Sequence, residues 1–264
     1  MHIDLSGKRA VVSGSTSGIG WATARGLAAA GASVVINGRD PARVEEATRR
    51  LAGAVAGARI EGVAADLGTA AGARDFVAKV STCDILVNNL GIFDPKPFLE
   101  IDDAEWERFF QVNVMSGIRL SRAYLPGMLA AGWGRIVFIS SESGVQIPRE
   151  MVHYGMTKTA QLAVSRGIAE TIPDSGVTVN AVLPGPTRSE GVADFLGKMA
   201  EQRGQPLAEY EKEFVRSERP SSLIGRLASV DEVASMVVYV CSQQASATTG
   251  AALRVDGGVV RSIV

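Results

Sequence analysis

Short apolar segments rich in valine and isoleucine alternate with longer segments of helical periodicity along most of the chain. Several of the short segments are apolar on both faces, which is typical of parallel strands covered by helices on each side. The strand segments lie at 9–14, 33–38, 85–89, 135–140 and 177–184, with weaker ones at 59–66 and 251–258. The helical segments lie near 19–30, 41–52, 69–80, 103–131, 152–172 and 230–243. This alternation predicts an α/β fold built on a doubly wound parallel sheet of about seven strands, with helices on both faces.

The chain is long enough for one large domain, because 264 residues, 46% of them hydrophobic, can bury a sizeable core. It shows no internal repeat and no low-complexity linker, so we expect a single domain over 1–264. One segment, 188–226, is polar, charged and helical without a following strand. An insertion of this kind is typical of a substrate lid or binding loop, and a plain surface excursion is the alternative.

Charge and composition restrict the possible partners. A net charge of -1 and a pI near 6.2 argue against a nucleic-acid binder. Cys83 and Cys241 are too few and too far apart for a disulfide framework or a metal cluster. The N-terminal stretch lacks the features of a signal peptide, and no apolar run reaches the length of a membrane span. We therefore expect a cytoplasmic protein that binds no nucleic acid, membrane or metal.

A glycine-rich turn, "SGSTSGIG" at 13–20, follows the first predicted strand and opens the first predicted helix. Gly14 allows a sharp turn, Gly18 lets the backbone approach a pyrophosphate, and Gly20 lets the helix pack on the sheet. The phosphates would lie at the positive N-terminus of the helix. The position of the turn at a strand-to-helix junction predicts nucleotide binding.

A tyrosine and a lysine share one face of a predicted amphipathic helix, because Tyr154 and Lys158 are four residues apart in "VHYGMTKTAQLAV". A free tyrosine has a pKa of about 10, and acid/base work near neutrality needs a decrease of roughly 3 units. A fixed ammonium about 5 Å away supplies roughly 3 kcal/mol at an effective dielectric constant of about 20. We therefore expect Lys158 to lower the pKa of Tyr154. A solvated surface pair is the alternative.

Further motifs follow the glycine-rich turn in order along nearly the whole chain. They are "ADL" at 65–67, "NNLG" at 88–91, "VNV" at 112–114, "ISSESG" at 139–144, "YGMTK" at 154–158, "LPGPT" at 183–187 and "VDGG" at 255–258. Together they resemble the motifs of the short-chain dehydrogenase/reductase family. The resemblance implies a Rossmann-type sheet and an NAD(P)-dependent oxidoreductase. Such an enzyme transfers a hydride between the nicotinamide and a small-molecule carbonyl or secondary alcohol.

The resemblance also implies which residues are catalytic. They are Asn113, Ser141, Tyr154 and Lys158. Tyr154 is the implied general acid/base, Lys158 its partner, and Ser141 a hydrogen-bond donor to the substrate oxygen, chosen over its neighbouring serines by alignment through Gly144. Asn113 resembles the residue that holds a water in the proton relay, and a purely structural role, as a buried amide that bonds neighbouring backbone, is compatible with this.

The cofactor-binding residues implied by the resemblance follow the same strands. They are Gly14, Ser17, Gly18, Ile19, Gly20, Arg39, Asp66, Leu67, Asn88, Gly91, Tyr154, Lys158, Pro184, Gly185 and Thr187. Asp66 and Leu67 resemble the pair that contacts adenine, and Asn88 the residue that steadies the central strand and the adenosine side. Thr187 resembles the residue that bonds the carboxamide of the nicotinamide.

The end of the second strand bears on the choice of cofactor. NAD-specific sites place an acidic residue there for the ribose 2′-hydroxyl, whereas this strand ends in Asn37 and Gly38. Arg39 follows and can bind a 2′-phosphate through charge-assisted hydrogen bonds. Asp40 precedes Pro41 and is the expected N-cap of the next helix, which turns it toward the backbone. We therefore expect NADP, with NAD as the alternative.

Two side chains beside the expected catalytic residues have open roles. His153 is expected to be a satisfied structural histidine, or else a substrate contact, and Glu142 to face outward, or else the substrate. Apolar residues of the 188–226 segment and of the loop before Tyr154 suggest a partly apolar pocket; they are Phe195, Leu196, Met199, Phe214, Val145, Ile147 and Met151.

Other functions and the assembly state also follow from the sequence. A catalytically silent nucleotide-binding regulator of this fold is one alternative, which the presence of Tyr154 and Lys158 disfavours. An epimerase or dehydratase of the same fold is another, although the chain has no room for the longer C-terminal substrate domain of such relatives. We expect a homotetramer, because the helices at 103–131 and 152–172 carry many small residues and the C-terminal "GGVVRSIV" is apolar.

Overall fold

The computed structural model describes residues 2–263. The strands are β1 (Arg9–Val12), β2 (Ser33–Gly38), β3 (Ile60–Ala64), β4 (Ile85–Asn88), β5 (Gly134–Ile139), β6 (Val177–Pro184), β7 (Thr187–Arg188), β8 (Ala228–Ser229) and β9 (Ala252–Val255). The α-helices are α1 (Gly18–Ala29), α2 (Pro41–Ala54), α3 (Ala70–Lys79), α4 (Asp103–Phe110), α5 (Ser116–Ala130), α6 (Val152–Glu170), α7 (Glu190–Gln202), α8 (Leu207–Glu218) and α9 (Val230–Val240).

Seven strands form one parallel sheet in the order β3-β2-β1-β4-β5-β6-β9. The chain runs outward from β1 to β3 and then returns to the other side of β1 to form β4, so the strand order reverses between β1 and β4. The predicted α/β fold with a doubly wound, seven-stranded parallel sheet is therefore confirmed. In sheets of this type, ligands bind outside the carboxyl ends of the strands at such a reversal.

Two hydrophobic cores lie on opposite faces of the sheet. One packs α1, α2 and α9 against the strands, with Leu27 and Val237 fully buried. The other packs α3 and α5 against the strands, with Phe76 and Leu120 fully buried. Within β1, Val11 belongs to the second core and its two neighbours to the first, as the pleat of a strand requires. Because both faces are covered, the strands are continuous apolar runs.

The helix predicted over 103–131 is not uniform. It consists of α4, a π-helical turn at Gln111–Met115, and α5. A π-helical turn replaces i→i+4 hydrogen bonds with i→i+5 bonds and often marks a functional site. A change of one residue in the spacing of backbone bonds leaves no signal in composition, so the sequence did not reveal it.

The 188–226 segment contains α7 and α8 and has a small sheet at its base. Strand β7 pairs in parallel with β8, so a short strand does follow the segment, contrary to the prediction. The two helices share an apolar cluster in which Leu196, Tyr210 and Val215 are buried. Leu196, with Met199 and Phe214 packed nearby, thus joins the helices to each other rather than lining a pocket.

Within residues 2–263, three features bear on disulfides, metal binding and membrane insertion. Both cysteines are free and buried. No group of three or more metal-ligating side chains within these residues is placed to hold a metal ion. No helix in this range combines the length and apolar character needed to cross a membrane.

Candidate active site

The residues predicted to form the site gather at one edge of the sheet. Because all seven strands run in the same direction, their carboxyl ends share this edge. The glycine-rich turn follows β1, Arg39 follows β2, Asp66 follows β3, and "NNLG" begins at the end of β4. Ser141 follows β5, and Pro184 ends β6. The fold therefore brings the predicted cofactor-binding and catalytic residues to one edge.

The glycine-rich turn has the backbone that the sequence predicted. Gly14 and Gly18 have φ values of 60° and 59°, in the left-handed region that favours glycine. A Cβ on Gly20 would lie 2.5 Å from the carbonyl oxygen of Gly14, so a larger residue would displace the turn. Ser17 is the N-cap of α1, but its side chain makes no capping hydrogen bond. The first amide groups of α1, from Gly18 through Ile19, are therefore suited to binding an anionic phosphate.

Polar side chains that sequence analysis missed hold this turn in place. Asn89 Nδ2 donates to the carbonyl oxygens of Ser13 and Gly14, at 3.0 and 2.8 Å. The Ser13 hydroxyl accepts the backbone amide of Asn89 at 3.0 Å. The fully buried Asn37 accepts the Gly14 amide at 3.3 Å and donates to carbonyl oxygens at the end of β3. The sequence feature that could have indicated these side chains is an asparagine at the end of a predicted buried strand.

The charged residues after β2 lie as predicted. Arg39 is exposed directly after the strand. Asp40 is the N-cap of α2, and its carboxylate accepts the amides of Ala42 and Arg43 at 2.9 and 3.4 Å. The Asp40 carboxylate is therefore occupied by the backbone, which leaves the Arg39 guanidinium as a cationic group at this strand end.

Two of the predicted cofactor-binding side chains turn away from this edge. Leu67 is fully buried in the second core, so its side chain cannot contact a nucleotide as its pairing with Asp66 implied. Asn88 Nδ2 donates to the Ser121 hydroxyl of α5 at 3.1 Å, so this side chain joins β4 to a helix. Asp66 is exposed, and its Oδ1 accepts the amide of Gly68 at 3.0 Å.

The loop after β6 is held close to β9. A Cβ on Gly185 would lie 2.6 Å from the carbonyl oxygen of Asp256, and the Gly185 amide donates to the carbonyl oxygen of Val255 at 3.0 Å. The Thr187 hydroxyl donates to the carbonyl oxygen of Gly185 at 2.9 Å. The predicted residues of this loop therefore form a fixed turn next to the end of β6.

The structure distinguishes Ser141 from its neighbour. The Ser140 hydroxyl donates to the backbone carbonyl of Lys158 at 2.8 Å and so fastens β5 to α6. Ser141 is 8% exposed, and its hydroxyl oxygen accepts the amide of Ser143 at 3.1 Å. The hydroxyl proton of Ser141 can therefore be donated to a ligand, as the resemblance implies.

Tyr154 and Lys158 lie together on α6, as their spacing predicted. Lys158 Nζ is 5.5 Å from the centre of the Tyr154 ring. The lysine is only 4% exposed, and its Nζ donates to the carbonyl oxygen of Ile139 at 2.9 Å and to Gln161 Oε1 at 3.3 Å. A Cβ on Gly91 would lie 3.4 Å from the same Nζ. The pair is therefore not a solvated surface pair.

Burial shifts the pKa values of both groups toward their neutral forms. It raises the pKa of Tyr154 to about 12, and the charge of Glu142 adds to this, while a hydrogen-bonding contact with Ser141 opposes it. Burial lowers the pKa of Lys158 to about 7. The expectation that Lys158 lowers the pKa of Tyr154 is therefore wrong for the protein groups alone. The physical reason is that the lost hydration of the phenolate dominates the shift, and Lys158 is not among the groups that offset it.

Asn113 lies in the π-helical turn and is fully buried. Its side chain accepts the amide of Ile92 at 2.8 Å and donates to the carbonyl oxygen of Ile92 at 2.9 Å and to the Thr157 hydroxyl at 3.0 Å. Its backbone carbonyl accepts Gln161 Nε2 at 2.6 Å. The side chain thus bonds nearby backbone, which is compatible with the implied relay role, and the Asn113 carbonyl is linked to Lys158 through Gln161.

Glu142 is buried, which corrects the expectation that it faces outward. Arg219 Nε donates to Glu142 Oε1 at 2.8 Å, and Arg219 Nη1 donates to Glu150 at 3.2 Å. Glu142 Oε2 is buried without a hydrogen-bond partner among the described residues. Arg219 lies 77 positions after Glu142 in the sequence, so no local pattern could reveal the ion pair.

His153 is buried between aromatic rings. Its ring centre lies 4.0 Å from that of Phe109 and 5.9 Å from that of Trp106. Within residues 2–263 neither ring nitrogen has a hydrogen-bond partner, so the expected hydrogen-bonded structural histidine is wrong in that respect. Burial also lowers the pKa of His153, which favours the neutral ring. Its role here is apolar packing.

The 188–226 segment contacts the site at both of its ends. At the first end, a Cβ on Gly18 would lie 3.3 Å from Ser189, the N-cap of α7. At the second end, Arg219 reaches Glu142, the neighbour of Ser141. The segment therefore runs from the glycine-rich turn to the candidate catalytic serine.

Comparison with known proteins identifies the family. The family described as enoyl-(acyl carrier protein) reductase matches residues 14–260. An uncharacterized oxidoreductase of Bacillus subtilis (strain 168), YvaG, is 46% identical over 263 residues, which span 100% of both chains. Dehydrogenase/reductase SDR family member 4 of Caenorhabditis elegans is 33% identical, and the match spans 97% of this chain and 96% of that protein. The chain belongs to the short-chain dehydrogenase/reductase family.

A solved structure agrees with this placement. L-sorbose reductase from Gluconobacter frateurii, complexed with NADPH and L-sorbose, is similar to this short-chain dehydrogenase/reductase with a TM-score of 0.93 and 32% identity over 100% of both chains. The family predicted from the motifs is confirmed, and with it the enzyme class, an oxidoreductase.

Arg219→Met should destabilise the docking of the 188–226 segment. It leaves the Glu142 carboxylate buried without its counterion, and breaking a buried ion pair in this way costs about 3–5 kcal/mol. We expect a lower urea midpoint and faster hydrogen exchange across 188–226. Arg203→Met is the matched control, because its pair with Glu213 is about half exposed and should contribute less than about 1 kcal/mol. Equal effects of the two substitutions would show that the buried pair does not hold the segment in place.

Proposed function

We propose that this protein is an NADP(H)-dependent reductase or dehydrogenase that acts on a carbonyl or secondary alcohol. The observation that carries the proposal is that Ser141, Tyr154 and Lys158 lie together, with Gly91 of the "NNLG" segment next to the lysine. Ser141 and Tyr154 supply two hydroxyl groups that can hydrogen-bond one substrate oxygen, and Lys158 supplies a buried amine next to Tyr154. This arrangement fits acid/base catalysis on a carbonyl. The retained Tyr154 and Lys158 count against a catalytically silent regulator.

The residues at the strand ends fit a dinucleotide. The uncapped amides of α1 would hold its pyrophosphate, and Arg39 would hold a ribose 2′-phosphate. Asp66 and the turn at Pro184–Thr187 would flank its two ends. The bound cofactor would supply or accept the hydride. The similarity to L-sorbose reductase, whose structure contains NADPH, supports NADP(H).

The acid/base step would belong to Tyr154. With a pKa of about 12, its phenol is protonated at neutral pH and can give its proton to a carbonyl oxygen as that oxygen becomes an alkoxide. The Ser141 hydroxyl would donate a hydrogen bond to the same oxygen and stabilise its developing charge. The ammonium form of Lys158 would stabilise the phenolate left behind, which burial otherwise disfavours.

The 188–226 segment is proposed to be the substrate lid of a single catalytic domain. Its contacts support this, because Ser189 lies next to Gly18 of the glycine-rich turn at one end and Arg219 bonds Glu142, the neighbour of Ser141, at the other. We also propose a cytoplasmic location and a small-molecule substrate, in keeping with the composition of the chain.

Tyr154→Phe should abolish turnover, by about 100-fold or more, and leave NADPH affinity nearly unchanged, because only the transferable proton is removed. Turnover is measured by absorbance at the nicotinamide band with a panel of ketones, ketoses and secondary alcohols, L-sorbose included. Tyr124→Phe is the matched control, since its buried hydroxyl donates to the Val80 carbonyl in the core. A Tyr154→Phe variant that keeps most of its kcat would refute the assignment.

Arg39→Ala should reduce kcat/KM with NADPH by roughly 10- to 100-fold and leave the value with NADH nearly unchanged, because a charge-assisted pair to the 2′-phosphate is lost. Arg59→Ala is the control, because Arg59 is exposed just before β3, at the opposite edge of the sheet. A native preference for NADH, or an unchanged ratio of the two cofactors in the Arg39 variant, would show that Arg39 does not select the cofactor.

A homotetramer is proposed from the apolar side chains left exposed on one chain. Leu99 is 93% exposed, Leu223 86% and Ile263 94%, whereas Val259 and Val260 of the C-terminal stretch are already buried within their own chain. The contribution expected from the C-terminal stretch therefore rests on Ile263, and Val264 lies outside the described residues. Light scattering at micromolar concentration should give four times the chain mass of 27.7 kDa. A mass of 27.7 kDa would reject the proposal.

A further inference from the structure

The structure contains a buried amide next to Lys158 that belongs to none of the family motifs. Gln161 lies on α6, three residues after Lys158, and is only 1% exposed. Glutamine is mostly exposed in proteins, and a buried one needs partners for both ends of its amide. Gln161 has both, since Nε2 donates to the carbonyl oxygen of Asn113 at 2.6 Å and Oε1 accepts Lys158 Nζ at 3.3 Å.

The π-helical turn provides the acceptor for this amide. Asn113 lies within the turn Gln111–Met115, where backbone bonds shift from the i+4 to the i+5 donor. The Asn113 side chain is held separately by Ile92 and Thr157. The Asn113 carbonyl is therefore fixed in position, and it orients the Gln161 amide with its oxygen toward Lys158.

The other side of Lys158 is fixed by the sheet. Its Nζ donates to the carbonyl oxygen of Ile139, the last residue of β5, at 2.9 Å. An ammonium has three N–H donors, so two have partners in the structure and one remains for the side of Tyr154 and the cofactor. Among residues 2–263, the ammonium thus has two neutral oxygen acceptors, and Gln161 is the one that belongs to a side chain.

We propose that Gln161 is a positioning residue of the active site, which holds Lys158 charged and in place by bridging it to the π-helical turn at Asn113. The proposal rests on the proposed function in one respect, the partnership of Lys158 with Tyr154. The direct bond from Gln161 Nε2 to the Asn113 carbonyl oxygen, at 2.6 Å, forms this bridge within the protein itself. An amide holds its donor and acceptor in fixed positions, so the link orients Lys158 without itself titrating.

Two nearly isosteric substitutions give opposite predictions. Gln161→Met removes the acceptor, so the charged lysine loses a hydrogen bond and its pKa should fall by about one unit from a value of about 7. Gln161→Glu places a carboxylate beside the ammonium, so the pKa should rise by about one unit or more. The alkaline limb of the pH profile of kcat should move in the same two directions.

The experiment measures the lysine directly and turnover separately. A titration followed by NMR of lysine labelled with ¹³C at Cε reports the pKa, with the Lys158 signal assigned by its absence in Lys158→Met. Gln244→Met is the control, because Gln244 is exposed and its side chain donates to the carbonyl oxygen of His2, remote from α6 in the sequence. Opposite shifts of the Lys158 pKa in the two Gln161 variants, with none in the control, are expected.

Shifts in the same direction, or shifts below about 0.3 units in both variants, would overturn the proposal, since the hydrogen bond would then contribute little to the lysine pKa. Such results would show that Gln161 only fills space, so that its replacement lowers stability and turnover without changing the lysine pKa. The NMR result does not depend on turnover. Opposite pKa shifts in a protein that reduces no carbonyl would support the link from Gln161 to Lys158 and reject the proposed function. An active enzyme in which the Lys158 pKa does not move would support the proposed function and reject the link.

Discussion

The parallel pairing of β1 with β4 is the constraint on which the site depends. Ala10, Val11 and Val12 lie opposite Ile85, Leu86 and Val87, so the two strands end at the same level. The chain then leaves them in different directions, as the glycine-rich turn and as the "NNLG" segment. A Cβ on Gly14 would lie 3.1 Å from the Leu90 Cα, and Asn89 ties the two segments together. The crevice at the strand reversal is a consequence of this register.

The second requirement of the site is to hold charged groups where water is excluded. Burial moves Tyr154 and Lys158 toward their neutral forms, because each loses the hydration of its charged form. The protein compensates the lysine with two fixed oxygen atoms, and it compensates Glu142 with Arg219. The Ser141 hydrogen bond and the charge of Arg219 stabilise the Tyr154 phenolate less than burial disfavours it, so the phenol is protonated at neutral pH. The fixed oxygen atoms thus favour a charged Lys158, Arg219 favours a charged Glu142, and burial keeps Tyr154 neutral.

The 188–226 segment connects the glycine-rich turn with the buried charged groups beside Ser141. Its helices are held together by their own apolar cluster, so the segment can keep its internal structure while its contacts with the sheet change. Those contacts include ion pairs: Arg50 lies 3.9 Å from Glu190 at one end, and Arg219 pairs with Glu142 and Glu150 at the other. Polar contacts of this kind depend on orientation, which suits a segment that fits against the site in one position.

Much of this protein could be predicted from the sequence. The apolar runs and helical periodicity determined the strands, the sheet type and most helix boundaries, because these patterns are local. The glycine-rich turn and the Asp40 cap could also be predicted, since each depends on a few consecutive residues. The spacing of Tyr154 and Lys158 on one helix placed the two groups together.

Only the tertiary structure decided what surrounds these groups. The bond from Gln161 to Asn113 spans 48 positions, the pair of Arg219 with Glu142 spans 77, and neither leaves a local pattern. The same holds for the pKa of Tyr154, whose direction the sequence predicted wrongly. A spacing of four residues shows that an ammonium is near, whereas the loss of hydration that raises the pKa depends on every element packed around the phenol.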